Sequence, residues 1–167
     1  PSHRVYIEGA SIALYDEYKT PCGNIQMDLE YSKLLHTKYH LHFQEDAHQE
    51  HSTETQVPFI KHYMPDAKVC EIVYGDVDYH ILAELISEVL QDDENVVVIS
   101  TDLSHFYDLE KANLLDNVCL EAIATLDNEK MAGVCEACGK IGVMAAIEAA
   151  KKLSFKAELL DYRTSAD

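Results

Sequence analysis

Two histidines and two carboxylates, His48, Glu50, His51 and Glu54, crowd into the run AHQEHSTETQVPF. Imidazole ligates borderline divalent metals and moves protons near neutral pH, and carboxylates complete metal sites or serve as bases. The same residues also suit the polar entrance to a helix, where Glu54 would sit favourably on the helix dipole. His48 and His51 share a face only if that helix begins early, because neighbours on a helix surface are three or four residues apart. Other chemistry-bearing residues lie far away in the chain. His3 lies in PSH, Asp102, Ser104 and His105 follow an apolar run in VVVISTDLSH, and Cys138 lies in ACGKIG. Each has a plainer reading: His3 can end a strand and Asp102 can cap a turn. Cys135 and Cys138 form a C-x-x-C pair, but no second such pair exists, which argues against a structural four-cysteine zinc site. Cys22, Cys70 and Cys119 read as small buried hydrophobes. His36, His40 and His42 have metal-like spacing but lie in a poorly patterned polar stretch and read as surface.

The elements that must carry these residues alternate along the chain. HRVYIEG reads as a short strand stopping at Gly9, and residues 28–39 as a helix built on Leu29, Leu34 and Leu35. Residues 53–64 predict a helix, with Thr53 and Gln56 at capping-box spacing and Pro58 near its start. AKVCEIVYGD is a strand ending at Gly75. DYHILAELISEVLQDD places Ile81, Leu82, Leu85, Ile86, Val89 and Leu90 at helical spacing. The unbroken apolar run in NVVVISTD predicts a strand buried on both faces. Two further helices, 108–126 and GKIGVMAAIEAAKKL, precede a last strand in FKAELLDYR. No linker, repeat or low-complexity tract interrupts them, so residues 1–167 read as one domain. The expected fold is α/β, layered, with a central mostly parallel or mixed sheet flanked by helices. In open sheets of this class ligands bind where strands end and loops begin. His3, Asp102, His105 and Cys138 all fall at such junctions.

The formal charge is −17, from 30 acidic and 13 basic residues. Such a surface repels phosphate backbones and anionic lipid, so nucleic acid and membrane are excluded as expected partners, and a phosphopeptide fits poorly. No apolar run is long enough to span a bilayer and no signal peptide is recognisable. Five cysteines without scaffold-like spacing point to a reducing compartment, hence a cytoplasmic protein. The chain starts at Pro1, not at an initiator methionine, and so reads as a processed, cut or partial product.

PSH, HQEHSTETQVPF, ISTDLSH, ACGKIG and LLDYRTSAD occur in this order, and together they resemble the Memo family, most closely the branch named AmmeMemoRadiSam system protein B. EHSTETQVPF is similar to the family's EHS-x-E-x-QLPF, and STDLSH to its S-S-D-hydrophobic-S/C-H. ACGKIG stands where ACGRGP is more usual, which alters the expected pocket wall near Lys140. The resemblance implies a fold like the LigB-type class III extradiol dioxygenases. It also implies that a strand and helix before PSH and a strand after SAD are missing here. The family's metal ligands map onto His3, His51 and Cys138, and Asp102 and His105 onto positions lining the same pocket. Two imidazoles and a thiolate would leave open positions for water, dioxygen or substrate, and would suit iron first, with copper or zinc as alternatives. His105 could then transfer a proton and Asp102 orient a histidine. The expected function is a non-haem metal redox or dioxygenase-like enzyme acting on a small molecule. The alternative is a non-catalytic metal-binding or protein-interaction module on the same fold. By family association, AMMECR1-type and radical SAM proteins are the expected protein partners.

Overall fold

The computed structural model describes residues 1–166. The chain is mixed α/β and divides into two compact units, Pro1–Val77 and Asp78–Asp167.

In the first unit β1 (Ala10–Ile12) pairs antiparallel with the later strand β4 (Ile72–Tyr74), Ser11 opposite Val73. All three residues of β1 are buried. β2 (Glu17–Tyr18) and β3 (Ile25–Gln26) form a second antiparallel pair, and parallel contacts occur only as isolated bridges such as Ser11 to His42. The strand expected at residues 3–9 begins instead at Ala10. Gly9 takes φ +84°, and the preceding segment crosses closely over Gly75, where a Cβ would lie 2.2 Å from the Ile7 carbonyl oxygen. Helix α1 (Leu29–Lys38) is capped by Asp28, whose carboxylate accepts from the Tyr31 N–H. The helix expected over 53–64 is two pieces, α2 (His51–Glu54) and α3 (Val57–Tyr63), with Pro58 in the first turn of α3. The capping box does not form, because the Thr53 hydroxyl turns back to the Glu50 carbonyl and to Glu71. Ala13, Ile25, Met27 and Val57 make one core, and Ile7, Ala47 and Val73 another.

The second unit is helical. α4 (Tyr79–Val89) packs along the last helix, α7 (Lys140–Lys152), and α5 (Leu109–Ala124) along α6 (Asn128–Val134). Asp78, Asp108 and Asp127 cap the first three of these in chain order, each accepting a backbone N–H from the first turn. Their apolar faces enclose Cys119, Met131, Cys135, Val143 and Ile147.

The run NVVVISTD is corrected by the structure. It forms no strand among the described residues, and it is not buried on both faces. Val96 is 74% and Val98 59% exposed, while Ile99 and Leu103 pack on the helical core. One face meets helices and no neighbouring strand supplies a ladder. Residues 155–163 likewise form no assigned strand.

Candidate functional site

Glu50 is the centre of the polar group in the first unit. It stands immediately before α2, and its side chain is 1% exposed. One carboxylate oxygen accepts from the His3 backbone N–H at 2.7 Å. The other lies 2.9 Å from His3 Nδ1, 2.9 Å from His51 Nδ1 and 3.2 Å from the Ser52 N–H. Burial alone would raise the pKa of this carboxyl. The two backbone N–H donors and the His3 ring outweigh it and hold the group down at about 2. The two imidazoles lie with centroids 4.6 Å apart and remain partly open to solvent. His3, Glu50 and His51 thereby form the one cluster among the described residues with ligating atoms close enough to hold an ion.

A buried chain of hydrogen bonds lies beneath them. His48, only 2% exposed at its side chain, contacts Ser11 Oγ at 2.8 Å through Nε2 and Glu71 at 2.9 Å through Nδ1. Ser11 Oγ already accepts the Gln44 N–H, so its own hydrogen is free to go to His48 Nε2, and His48 then donates from Nδ1 to Glu71. The other Glu71 oxygen accepts from Thr53, whose hydroxyl also reaches the Glu50 carbonyl. The chain ties β1 and the segment before β4 to the turn that bears Glu50 and His51.

In the second unit, Cys138 and Asp102 meet directly. The Asp102 N–H donates to Cys138 Sγ at 3.2 Å, and the Cys138 N–H donates to the Asp102 carbonyl at 3.2 Å. Thr101 Oγ1 accepts the Gly139 N–H at 2.8 Å and lies 3.4 Å from the sulfur. Gly139 allows this approach, because any Cβ there would fall 2.8 Å from Thr101 Cβ. His105 Nε2 lies 3.7 Å from Asp102 Oδ2, both side chains being well exposed. Asp116 on α5 fixes the loop, accepting the Ser104 N–H at 2.8 Å and the Tyr162 hydroxyl at 2.8 Å. Within each unit the structure brings the expected residues together: His3 with His51, and Asp102 with His105 and Cys138.

Four further participants, Glu50, Glu71, Ser11 and Asp116, were missed as site residues. Glu50 stands between two histidines in the sequence but received no role of its own there. Ser11 and Glu71 carry no motif at all. The cysteines also need correction. Cys119 and Cys135 form a disulfide across 16 residues, so Cys119 is not a simple buried hydrophobe and Cys135 is not half of a C-x-x-C metal pair. Cys138 remains a free thiol.

His3 and His51 each have Nε2 without a hydrogen bond among the described residues, and two such imidazoles suit a divalent transition metal. In the second unit, Cys138 Sγ accepts the Asp102 N–H. The sequence pattern of the family described as Memo-like protein matches residues 1–167. Among curated relatives, a MEMO1 family protein of Methanococcoides burtonii is 35% identical over the whole chain and 67% of its own length. One of Archaeoglobus fulgidus is 31% identical with the same coverage. One of Desulfurococcus amylolyticus is 32% identical over 95% of the chain, which spans 62% of that relative. The chain thus spans about two thirds of the length of these relatives.

Proposed function

Because the chain belongs to the Memo-like protein family, we propose that it is a metal-dependent protein with His3 and His51 among the ligands of its ion, on a layered fold of the LigB dioxygenase kind. The observation that carries this reading is the His3–Glu50–His51 cluster: two imidazoles with open Nε2 atoms, backed by an ionised buried carboxylate. When bound, a ferrous ion in such a donor set supplies Lewis-acid and one-electron redox chemistry, and copper or zinc would suit the same donors. His105, exposed and within ion-pair range of Asp102, is suited to accept or deliver a proton at Nε2. The activity proposed is a redox or dioxygenase-like reaction on a small molecule. The free thiol Cys138 favours a second reading, a metal-handling module without turnover, because thiolates are good ligands for soft ions.

The test is anaerobic loading of the chain with ferrous iron, followed by metal analysis and oxygen uptake with catechol-like substrates. One ion per chain that is lost in His51→Ala supports the metal site. Oxygen uptake then separates an enzyme from a module. Equal loading of wild type and His51→Ala would refute the ligand assignment.

A further inference from the structure

Glu50 is placed to do more than fill a buried corner. Its carboxylate lies 2.9 Å from both rings of the His3–His51 pair, and its reach to each ring is through Nδ1. At 2.9 Å, an unprotonated ring nitrogen would set a lone pair against a carboxylate oxygen. The short contacts are attractive only if each Nδ1 carries a hydrogen. Each neutral ring then has its lone pair on Nε2, the atom without a hydrogen bond among the described residues.

We propose that Glu50 is a positioning residue that fixes His3 and His51 together as Nδ1–H tautomers and so makes Nε2 the metal-binding atom of both rings. This deepens the metal reading given above and rests on it.

Two observations argue against the alternative in which Glu50 itself is the third ligand. Its side chain is 1% exposed, whereas the imidazoles are 31% and 52% exposed, so the open side of the cluster is the histidine side. Both of its oxygens are already occupied by backbone donors, His3 N–H on one and Ser52 N–H on the other. An ion bound to the carboxylate would have to displace hydrogen bonds that also hold the start of α2. A carboxylate that receives ring N–H groups from ligating histidines orients them and raises their basicity, and its loss costs about 10- to 100-fold in metal affinity.

The test is long-range proton–nitrogen NMR on the ¹⁵N-histidine-labelled chain, first metal-free and then with Zn²⁺ added, with His3→Gln and His51→Gln used for assignment. The expected result is an Nδ1–H tautomer for both rings without metal. On Zn²⁺ addition Nε2 should shift while the Nδ1 proton is retained. In Glu50→Gln the tautomer preference should be lost and Zn²⁺ affinity should fall roughly 10- to 100-fold. The wild-type spectra decide the matter even if that variant folds poorly. An Nε2–H tautomer on either ring in the metal-free protein overturns the proposal. Loss of the Nδ1 proton on Zn²⁺ binding overturns it as well, by making the Glu50 side the metal side. Two Nδ1–H rings that do not respond to Zn²⁺ would instead overturn the underlying metal reading, and with it the presentation of Nε2 to an ion, while the tautomer assignment stood.

Discussion

Adding one methyl group at Gly139 should open the loop that carries Cys138. An alanine Cβ there would sit 2.8 Å from both Cβ and Oγ1 of Thr101 and 3.1 Å from the Ser100 carbonyl oxygen. Carbon atoms pack at about 3.5–4.0 Å, so the two segments must separate by roughly 1 Å. Rotating the Thr101 side chain can remove Oγ1 but leaves Cβ where it is, so the backbone must give. Three hydrogen bonds cross this seam: Gly139 N–H to Thr101 Oγ1 at 2.8 Å, Cys138 N–H to the Asp102 carbonyl at 3.2 Å, and Asp102 N–H to Cys138 Sγ at 3.2 Å. The Cys138 N–H···O bond is already at the long end of its range and would not survive that displacement, and the bond to sulfur would lengthen with it. Overpacking of this kind costs about 1–3 kcal/mol. Local opening should therefore become roughly 5- to 150-fold more frequent.

The assay is amide hydrogen exchange at residues 102, 138 and 139. Exchange in Gly139→Ala should accelerate at all three, while amides in the centre of α5 change little. Thr101→Gly combined with Gly139→Ala removes the Cβ contact and should recover the Asp102 and Cys138 amides, though not the bond to the lost hydroxyl. Gly133 provides the opposite case. It lies in α6 and an added Cβ would meet nothing within 4 Å. Gly133→Ala should stabilise the chain by about 0.5–1 kcal/mol through helix propensity alone. Unchanged protection in Gly139→Ala would refute the steric reasoning and leave the loop held by something other than this contact.

Gly75→Ala should be the more damaging glycine change, since its Cβ would fall 2.2 Å from a backbone oxygen, and a urea midpoint close to wild type would contradict the packing described. His48→Ala strips Ser11 and Glu71 of a buried partner and should cost roughly 1–3 kcal/mol or more, read as a shift in urea midpoint. The Cys119–Cys135 bond predicts a non-reduced intact mass two hydrogens lighter than the all-thiol chain, and reduction should cost about 3 kcal/mol for a loop of this size. Burial raises Tyr18 to about 12, helped by the charges of Glu71 and Glu54 and opposed by a Thr53 hydrogen bond. Its folded value exceeds the ordinary 10, so its contribution to stability is whole below pH 10 and disappears as pH rises through 12. Tyrosinate absorbance should show a residue titrating near 12 that is absent in Tyr18→Phe.

The helices were largely legible because each announces itself locally. Asp28, Asp78, Asp108 and Asp127 cap the first turns of α1, α4, α5 and α6, and the apolar residues of α4 repeat at helical spacing. The strands were less legible because an apolar run states only a wish for burial. Val96 and Val98 read as the centre of a sheet, yet what makes a strand is a ladder partner, and partners are not encoded in the run itself. The helix expected over 53–64 failed for a different reason. A capping box requires Thr53 to serve Gln56, but Thr53 has a competing acceptor in Glu71, which is 18 residues away in sequence.

The same asymmetry governs the site. His3, His51, Asp102, His105 and Cys138 stand out as candidates because imidazole, carboxylate and thiol carry chemistry and stand in motifs that resemble a family's. The groups that hold them do not, because a buried carboxylate is written in the same letter as a solvated one. Glu50 and Glu54 stand four residues apart in one motif, and only the fold distinguishes them: Glu50 receives the His3 and Ser52 amides, while Glu54 is exposed. That distinction sets what each can do. A carboxylate held by fixed N–H donors stays ionised without water, so it can face two imidazoles as a constant charge. A solvated one would reorient and screen itself. The positioning argued for Glu50 therefore follows from the backbone of residues 3 and 52 as much as from the side chain, and a histidine pair lacking those two amides would carry the same motif letters without the same order.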